Sequence, residues 1–304
     1  MRDLPDGVKK KLPLLIALLV IITLTGVFFL RSPVIIVTDA SFYQLYGSHR
    51  FRFAVLRNSL ELFRRVITVP VAETAAPDVI ALVVEAAVPS SPRAVLFPQR
   101  YIDAARIFND RHTEVPVLVM SGRNTLPPPA LREAGIVFVR TDKATDLYRA
   151  GLAAAVLVYD ETREVLFFSD GTLREQYREA FEEGLLNQGF ANSRFFLEAF
   201  MDHVLYANIG CVIVAGPAVR FLERGLDIPV ILFSWIDPVR TPQPVRIVFN
   251  DSPLALAAGA IRAFSPEAEE ILVPSRPAVI SDRIEERREL RTLRGLVRAE
   301  FQKN

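Results

Sequence analysis

Short β-branched apolar runs alternate with helix-length amphipathic segments along most of this chain, the pattern of βαβ units built on a parallel sheet. In the first half the runs are Val34 to Thr38, Val66 to Val71, Ala94 to Phe97, Val117 to Met120 and Ile136 to Val139. The second half repeats the plan with Val165 to Phe168, Phe195 to Leu197, Cys211 to Val214, Val230 to Phe233 and Arg246 to Phe249. Each run is predicted as a strand. Ten strands in two successive sets of five predict two doubly wound, Rossmann-like α/β lobes rather than one large sheet. The length agrees, because the roughly 270 residues after Leu30 exceed one small core and suit two ordinary domains.

The segments between the runs carry helical signals. Phe53, Leu56, Leu60 and Phe63 recur at helical spacing, as do Val79, Ile80, Val83 and Val84, and Ile102, Ala105 and Phe108. These stripes are predicted to cover the first sheet. Asp142 to Val158 joins the halves, with Leu147, Tyr148, Gly151, Leu152 and Ala155 on one face. Thr172 and Glu175 form a capping box before Leu173, Tyr177, Phe181 and Leu185, and Gly189 is a stop signal. Pro217 and Gly225 bracket another helix, and Ser252 and Pro253 open the one running through Leu254, Leu256, Ala257 and Ile261. Pro127 to Pro129 read as a stiff surface loop.

Ahead of this body, Leu12 to Leu30 is an uncharged run of about 19 residues, long enough as a helix to cross roughly 30 Å of hydrocarbon. A cleaved signal peptide has a shorter apolar core and a small-x-small site, and neither is found here. No cysteine stands near the run to take a lipid. An uncleaved transmembrane signal anchor is therefore expected. Arg2, Lys9, Lys10 and Lys11 precede it, so the N-terminus should stay in the cytoplasm and the body should be exported from the cytoplasmic (inner) membrane as a single-pass protein. The expected organisation is a basic tail over 1–11, the anchor over 12–30, an N-terminal lobe over 31–141, a C-terminal lobe with hinge crossings over 142–280, and a charged helix over 281–304. That last segment is dense in Arg and Glu, and reads as a solvated helix or as a packing helix for a partner.

Several function classes have little support. The formal net charge is +1, and the basic tail accounts for all of that surplus, leaving the rest of the chain essentially neutral, so a nucleic-acid partner is not expected. The single cysteine, Cys211, excludes an intramolecular disulfide and is expected to be buried. His49, His112 and His203 are isolated, with no HExxH pair and no cysteine cluster, so no metal site is expected. Neither a GxSxG elbow nor a GxGxxG or GxxxxGK loop occurs. No catalytic residue and no cofactor is predicted.

Two α/β halves after an export anchor resemble the type I periplasmic binding proteins, the fold of sugar-binding receptors and of the basic-membrane-protein branch of nucleoside receptors. The resemblance is carried by VIIVTDASF as first strand and loop, TDLYRAGLAAAVLV as the helix opening the second half, EVLFFSDGTLREQYREAFEEGLLNQGF, and CVIVAGPAVRFLERG followed by IPVILFSWID. It spans about Pro33 to Ile280 and rests on the order of elements. It implies two lobes closing on a ligand, with an ABC permease or a membrane sensor as partner.

In open parallel sheets ligands sit beyond the carboxyl ends of strands, and here those ends are polar and aromatic. Asp39, Phe42 and Tyr43 follow the first strand, Tyr101 the third and Arg123 the fourth. In the second half Asp170, Trp235, Asp237 and Asp251 stand in the equivalent places. These nine residues are the candidate ligand-binding set. Carboxylates accept hydrogen bonds from hydroxyls or amines, and aromatic faces support a sugar ring, a base or a cation. A strand-end Asp also serves as a helix cap, so any single member has that second reading. The expected function is an anchored extracytoplasmic solute-binding protein for a small polar molecule (sugar, nucleoside or amine), acting in uptake or sensing. The alternative is a non-catalytic envelope interaction or signalling module on the same fold.

Overall fold

A computed structural model describes residues 6–88, 92–121, 129–158, 162–169, 175–197, 208–215, 228–233, 245–279 and 288. It begins with α1 (Asp6–Leu30), and β1 (Val34–Thr38) follows after three residues. Next come α2 (Ala40–Tyr46), α3 (Ser48–Leu62), β2 (Val66–Pro70), α4 (Pro77–Ala87) and β3 (Ala94–Pro98). A 3-10 turn over Gln99–Tyr101 leads into α5 (Ile102–Arg111), β4 (Val117–Ser121), α6 (Pro129–Glu133) and β5 (Val137–Thr141). The second half contains α7 (Lys143–Leu157), β6 (Glu164–Ser169), α8 (Glu175–Leu186), β7 (Ser193–Leu197), β8 (Ile209–Ala215), β9 (Val230–Leu232), β10 (Val245–Asn250) and α9 (Pro253–Ala263). Two short strands close the described chain, β11 (Glu270–Val273) and β12 (Arg276–Val279).

The strands form two six-stranded sheets, ordered β11-β5-β4-β3-β1-β2 and β12-β10-β9-β8-β6-β7. Within each, the first five strands in chain order follow the doubly wound 2-1-3-4-5 plan, which reverses direction beside its first strand. β1 pairs in parallel with β2 and β3, as β6 does with β7 and β8. β12 is antiparallel to β10. All ten sequence-predicted strands are present. The two that sequence reading missed are four-residue edge strands, and Pro277 in β12 suits an edge because it has no N–H to donate.

By Cα proximity the chain divides into two compact units. One comprises Met1–Met120, Pro127–Phe138 and Ile261–Glu270, the other Ser121–Leu126, Val139–Ala260 and Ile271–Asn304. In the first unit β1 is buried along its whole length, as a central parallel strand covered on both faces should be. Ile35, Val37, Val95, Phe97, Val117 and Val119 meet Ile80, Ala81, Val84, Ala105 and Phe108 of α4 and α5 in one apolar core. In the second unit Val165, Phe167, Cys211, Ile213 and Ile231 meet Leu147, Ala154, Phe181 and Leu185 of α7 and α8. Cys211 is buried, as expected.

Three helical readings are corrected. Phe53, Leu56 and Leu60 of α3 do not cover the sheet; all three are exposed, while Phe51, Asn58 and Ser59 are buried. Ser59 explains how a polar residue takes the inward place, since its hydroxyl donates to the Val55 carbonyl and accepts the Val66 N–H at the start of β2. In α4 the buried stripe is Ile80, Ala81 and Val84, and Val79 and Val83 face out. Pro129 opens α6 instead of lying in a loop, a place proline suits because its missing N–H would have no intrahelical partner there. The Thr172 cap, the Pro217 to Gly225 helix, Pro127 and Pro128 lie outside the described residues. So does the 281–304 helix apart from Arg288.

Candidate functional site

The doubly wound order places a crevice at the carboxyl ends of β1 and β3, where the sheet reverses direction. The chain leaving β1 is Asp39, and the chain leaving β3 is Gln99, Arg100 and Tyr101. Asp39 is almost fully buried and caps α2, accepting from the Ser41 N–H at 2.9 Å and the Ser41 hydroxyl at 2.7 Å through Oδ1. Its Oδ2 accepts from the Tyr101 hydroxyl at 2.7 Å and forms an ion pair with Arg100 Nη2. Four donors thus converge on one carboxylate, which matches the about four lone-pair positions such a group has. Asp39 therefore acts inward, as the post that holds Tyr101 and Arg100 across the crevice.

The outward-facing chemistry belongs to its partners. Arg100 has a side chain 42% exposed, lies over the Tyr101 ring at 5.2 Å, donates to the Ser41 hydroxyl and stands 3.8 Å from Glu73 Oε1. Burial, and then the hydrogen bond to the Asp39 carboxylate, push the Tyr101 phenol well above its ordinary pKa, so it remains a proton donor. Phe42 is buried against Phe51, whereas Tyr43 is exposed and packs on Phe51 at a tilt of 53° with centroids 4.8 Å apart. Tyr101 itself is buried, so the crevice presents the Arg100 guanidinium, the Ser41 hydroxyl and the Glu73 carboxylate. Such groups are able to hydrogen-bond polar, hydroxylated or anionic small molecules.

The second unit has its own cluster at the carboxyl ends of β9 and β10. Lys143 at the start of α7 stands 3.7 Å from Asp251 Oδ2 and 5.8 Å from the Phe233 ring centre, and Phe233 stacks on Phe249 at 4.6 Å. Asp142 caps α7 by accepting from the Thr145 N–H and hydroxyl, which fixes where Lys143 projects. Arg123, Asp170, Trp235 and Asp237 lie outside the described residues.

Of the nine sequence-predicted residues, the structure joins Asp39 directly to Tyr101 and pairs Asp251 with Lys143. The candidate set omitted Arg100, Ser41, Glu73, Lys143 and Phe233. Ser41 and Arg100 lie just past the ends of β1 and β3, yet the contact between them crosses 59 positions of sequence. Among the described residues no group of three or more His, Cys, Asp or Glu is placed to hold a metal. His112 instead meets Glu85 at 3.0 Å and packs on Phe108.

α1 carries no such site, and its described side chains, from Leu14 to Leu30, are almost all exposed. Leu18, Leu19, Val20, Ile21 and Ile22 are consecutive and therefore point in every direction around the helix. Among the described residues no helix is long and apolar enough to cross a membrane.

Neither a protein-family model nor a curated relative matches the sequence. Solved structures share its fold. The chain is similar to a transcriptional activator of the comK gene from Bacillus halodurans, with a TM-score of 0.57, 10% identity, and coverage of 88% of this chain and 98% of that one. It is also similar to an ABC transporter periplasmic solute binding protein from Actinobacillus succinogenes 130z with bound D-allose, at a TM-score of 0.50, 13% identity, and coverage of 82% and 98%. A periplasmic ribose ABC transporter from Conexibacter woesei gives a TM-score of 0.50 at 12% identity, covering 82% and 92%. At these identities the likeness is one of fold. The chain has the α/β fold of the type I periplasmic binding proteins, with two parallel-stranded sheets.

Proposed function

We propose that this chain is a membrane-anchored solute-binding protein that holds a small polar ligand without chemically changing it. The observation that carries the reading is the Asp39, Tyr101, Arg100 and Ser41 constellation at the point where the first sheet reverses. Asp39 stabilises a half-exposed Arg100 in a fixed pose, and a pre-positioned guanidinium loses little side-chain freedom when a ligand arrives. A sugar, nucleoside or small anion suits the donors and acceptors there. The bound D-allose of the Actinobacillus protein supports that ligand class by analogy of fold.

The proposed anchor is the whole uncharged run from Leu12 to Leu30, of which only the 17 residues from Leu14 to Leu30 have described side chains. A helix apolar on all sides has no surface that prefers water, and a bilayer removes that exposure completely. Lys9, Lys10 and Lys11 favour a cytoplasmic N-terminus and an extracytoplasmic body at the inner membrane, where a permease or a membrane sensor would be the partner. A second reading, a regulatory module on the same fold, is favoured by the likeness to the comK activator.

The test uses the full chain in detergent, screened by native mass spectrometry and thermal shift against pentoses, hexoses, nucleosides and small amines. A bound solute that raises the melting temperature is expected. Arg100→Ala should leave the unliganded protein folded and weaken that stabilisation by about 1–3 kcal/mol, the value of one charge-assisted hydrogen bond. If no compound binds at millimolar concentration, the regulatory reading takes its place.

A further inference from the structure

α3 is amphipathic in an unusual sense, because Phe51 is buried while three other large apolar side chains face away from the protein. Phe53, Leu56 and Leu60 are 68%, 55% and 65% exposed, and their i, i+3, i+7 spacing sets them in one stripe along the helix. Arg50 and Arg57 lie on one flank of that stripe and Arg52 on the other, by the 100° step of the helix. The only acidic residue of α3, Glu61, is held by Arg57 at 2.8 Å and by Arg262 at 2.7 Å. An apolar stripe edged by arginines is the signature of a helix lying in a lipid interface.

The end of α3 is tied to α1. Phe63 caps α3 in the left-handed conformation, φ 48° and ψ 43°, which a bulky side chain rarely adopts and a glycine would adopt without strain. Its ring meets Phe28 of α1 with centroids 5.9 Å apart and lies under the Arg31 guanidinium at 5.1 Å. Arg64 donates to the Ser32 carbonyl at 2.9 Å. Burial, and then the nearby charges of Arg31 and Arg93, lower the Arg64 pKa from its ordinary value, so three cations share this junction. Arg31, Arg64 and Arg93 all lie just before the amino ends of β1, β2 and β3, on the side where α1 enters.

We infer that the outer face of α3 and the Arg31, Arg64 and Arg93 junction form a second membrane contact, an interfacial surface for anionic lipid beside the anchor. The inference builds on the proposed anchoring of α1. Lipid is the occupant that fits, because the flanks are cationic and the stripe runs toward the helix whose every side is apolar. The exposed Val79, Leu82 and Val83 of α4 make a useful contrast. The crossovers from β1 to β2 and from β2 to β3 run in opposite directions, so right-handed connections put α3 and α4 on opposite faces of the sheet. No arginine lies within α4.

The test is site-directed spin labelling of the full chain in a Cys211→Ala background, reconstituted into phosphatidylcholine vesicles with and without phosphatidylglycerol. Single labels are placed at Leu56→Cys, Val83→Cys and Leu19→Cys, and collision with oxygen is compared with collision with an aqueous nickel chelate. The Leu56 label is expected to favour oxygen several-fold in the anionic vesicles and less in the neutral ones, while the Val83 label favours the chelate. A Leu56 label as accessible to the chelate as the Val83 label overturns the inference. Spin–spin broadening at Leu56 without an oxygen preference also overturns it, in favour of a second copy of the chain. Equal immersion in neutral vesicles overturns the role of the arginines. The Leu19 label reports on the anchor by itself: oxygen preference there with a water-exposed Leu56 leaves the anchor standing and the inference refuted, and the reverse leaves the interfacial face without the anchor.

Discussion

Among the described residues Asp146 is a carboxylate wholly removed from water. It sits in the first turn of α7, fully buried, and its Oδ1 accepts the Ser275 N–H at 2.8 Å. Burial pushes its pKa up to about 7, against hydrogen bonding from Ser275 and the positive charges of Lys143 and Arg149, which act in the opposite direction. The folded chain therefore holds a proton there that the unfolded chain, with a pKa near the ordinary 3.8, has released. Stability from this group is greatest at the acid end and falls as pH rises from about 4 to 7, by at most about 1.4 kcal/mol per unit. Asp146→Asn keeps the acceptor for Ser275 and removes the ionisation. Melting temperature followed from about pH 4.5 to 8 should show the variant gaining on the parent as pH rises. A gap that stays constant across the range would mean that Asp146 is ionised in the folded chain throughout.

At the scale of elements, α7 and α8 approach so closely that their backbones touch. A Cβ added at Gly184 would lie 2.1 Å from the Tyr148 carbonyl oxygen, and one at Gly151 would lie 2.3 Å from that of Phe181. Alanine in an ordinary helix interior gains about 1 kcal/mol over glycine. Here Gly184→Ala should lose on the order of 2–3 kcal/mol, because the contact is with backbone and must be relieved by parting two packed helices. Chemical denaturation measures it, and a stabilised variant would refute the close crossing. The sequence showed Gly151 on the apolar face of its helix but gave no sign that Gly184 was its counterpart, since that pairing exists only once the sheet has formed. The same distinction separates what was legible from what was not. The eight interior strands announce themselves through apolar runs, and the five-residue edges β2 and β7 were found with them, whereas β11 and β12 are four-residue edges with charged residues and a proline. The α3 stripe was legible as amphipathic, yet periodicity cannot say whether an apolar face meets a sheet or something outside the protein. At the site, Asp39 was visible as a strand-end carboxylate. Its saturation by Ser41, Tyr101 and Arg100, which leaves Arg100 as the exposed charged group, depends on folding.

Across the whole molecule the same 2-1-3-4-5 plan is used twice, and a parallel sheet built this way has two chemically different edges. In the first unit α1 joins the amino edge through Arg31 to Pro33, beside Arg64 and Arg93, while Asp39, Arg100 and Tyr101 occupy the carboxyl edge. Five-residue strands separate those edges by about 16 Å. In an anchored chain of this design the proposed crevice lies at the end of the strands opposite the anchor, and a ligand reaches it from the aqueous phase. This yields a topological prediction. Tyr43→Cys adds one thiol to an exposed position near the crevice, and the native Cys211 is buried and should stay unreactive. In spheroplasts, a membrane-impermeant maleimide should label Tyr43→Cys fully without lysis, and saturating ligand should slow the labelling if Tyr43 borders the bound molecule. Labelling that requires lysis would place the body in the cytoplasm and remove the proposed orientation. Labelling without lysis that no solute slows would leave the orientation intact and take Tyr43 out of the binding site.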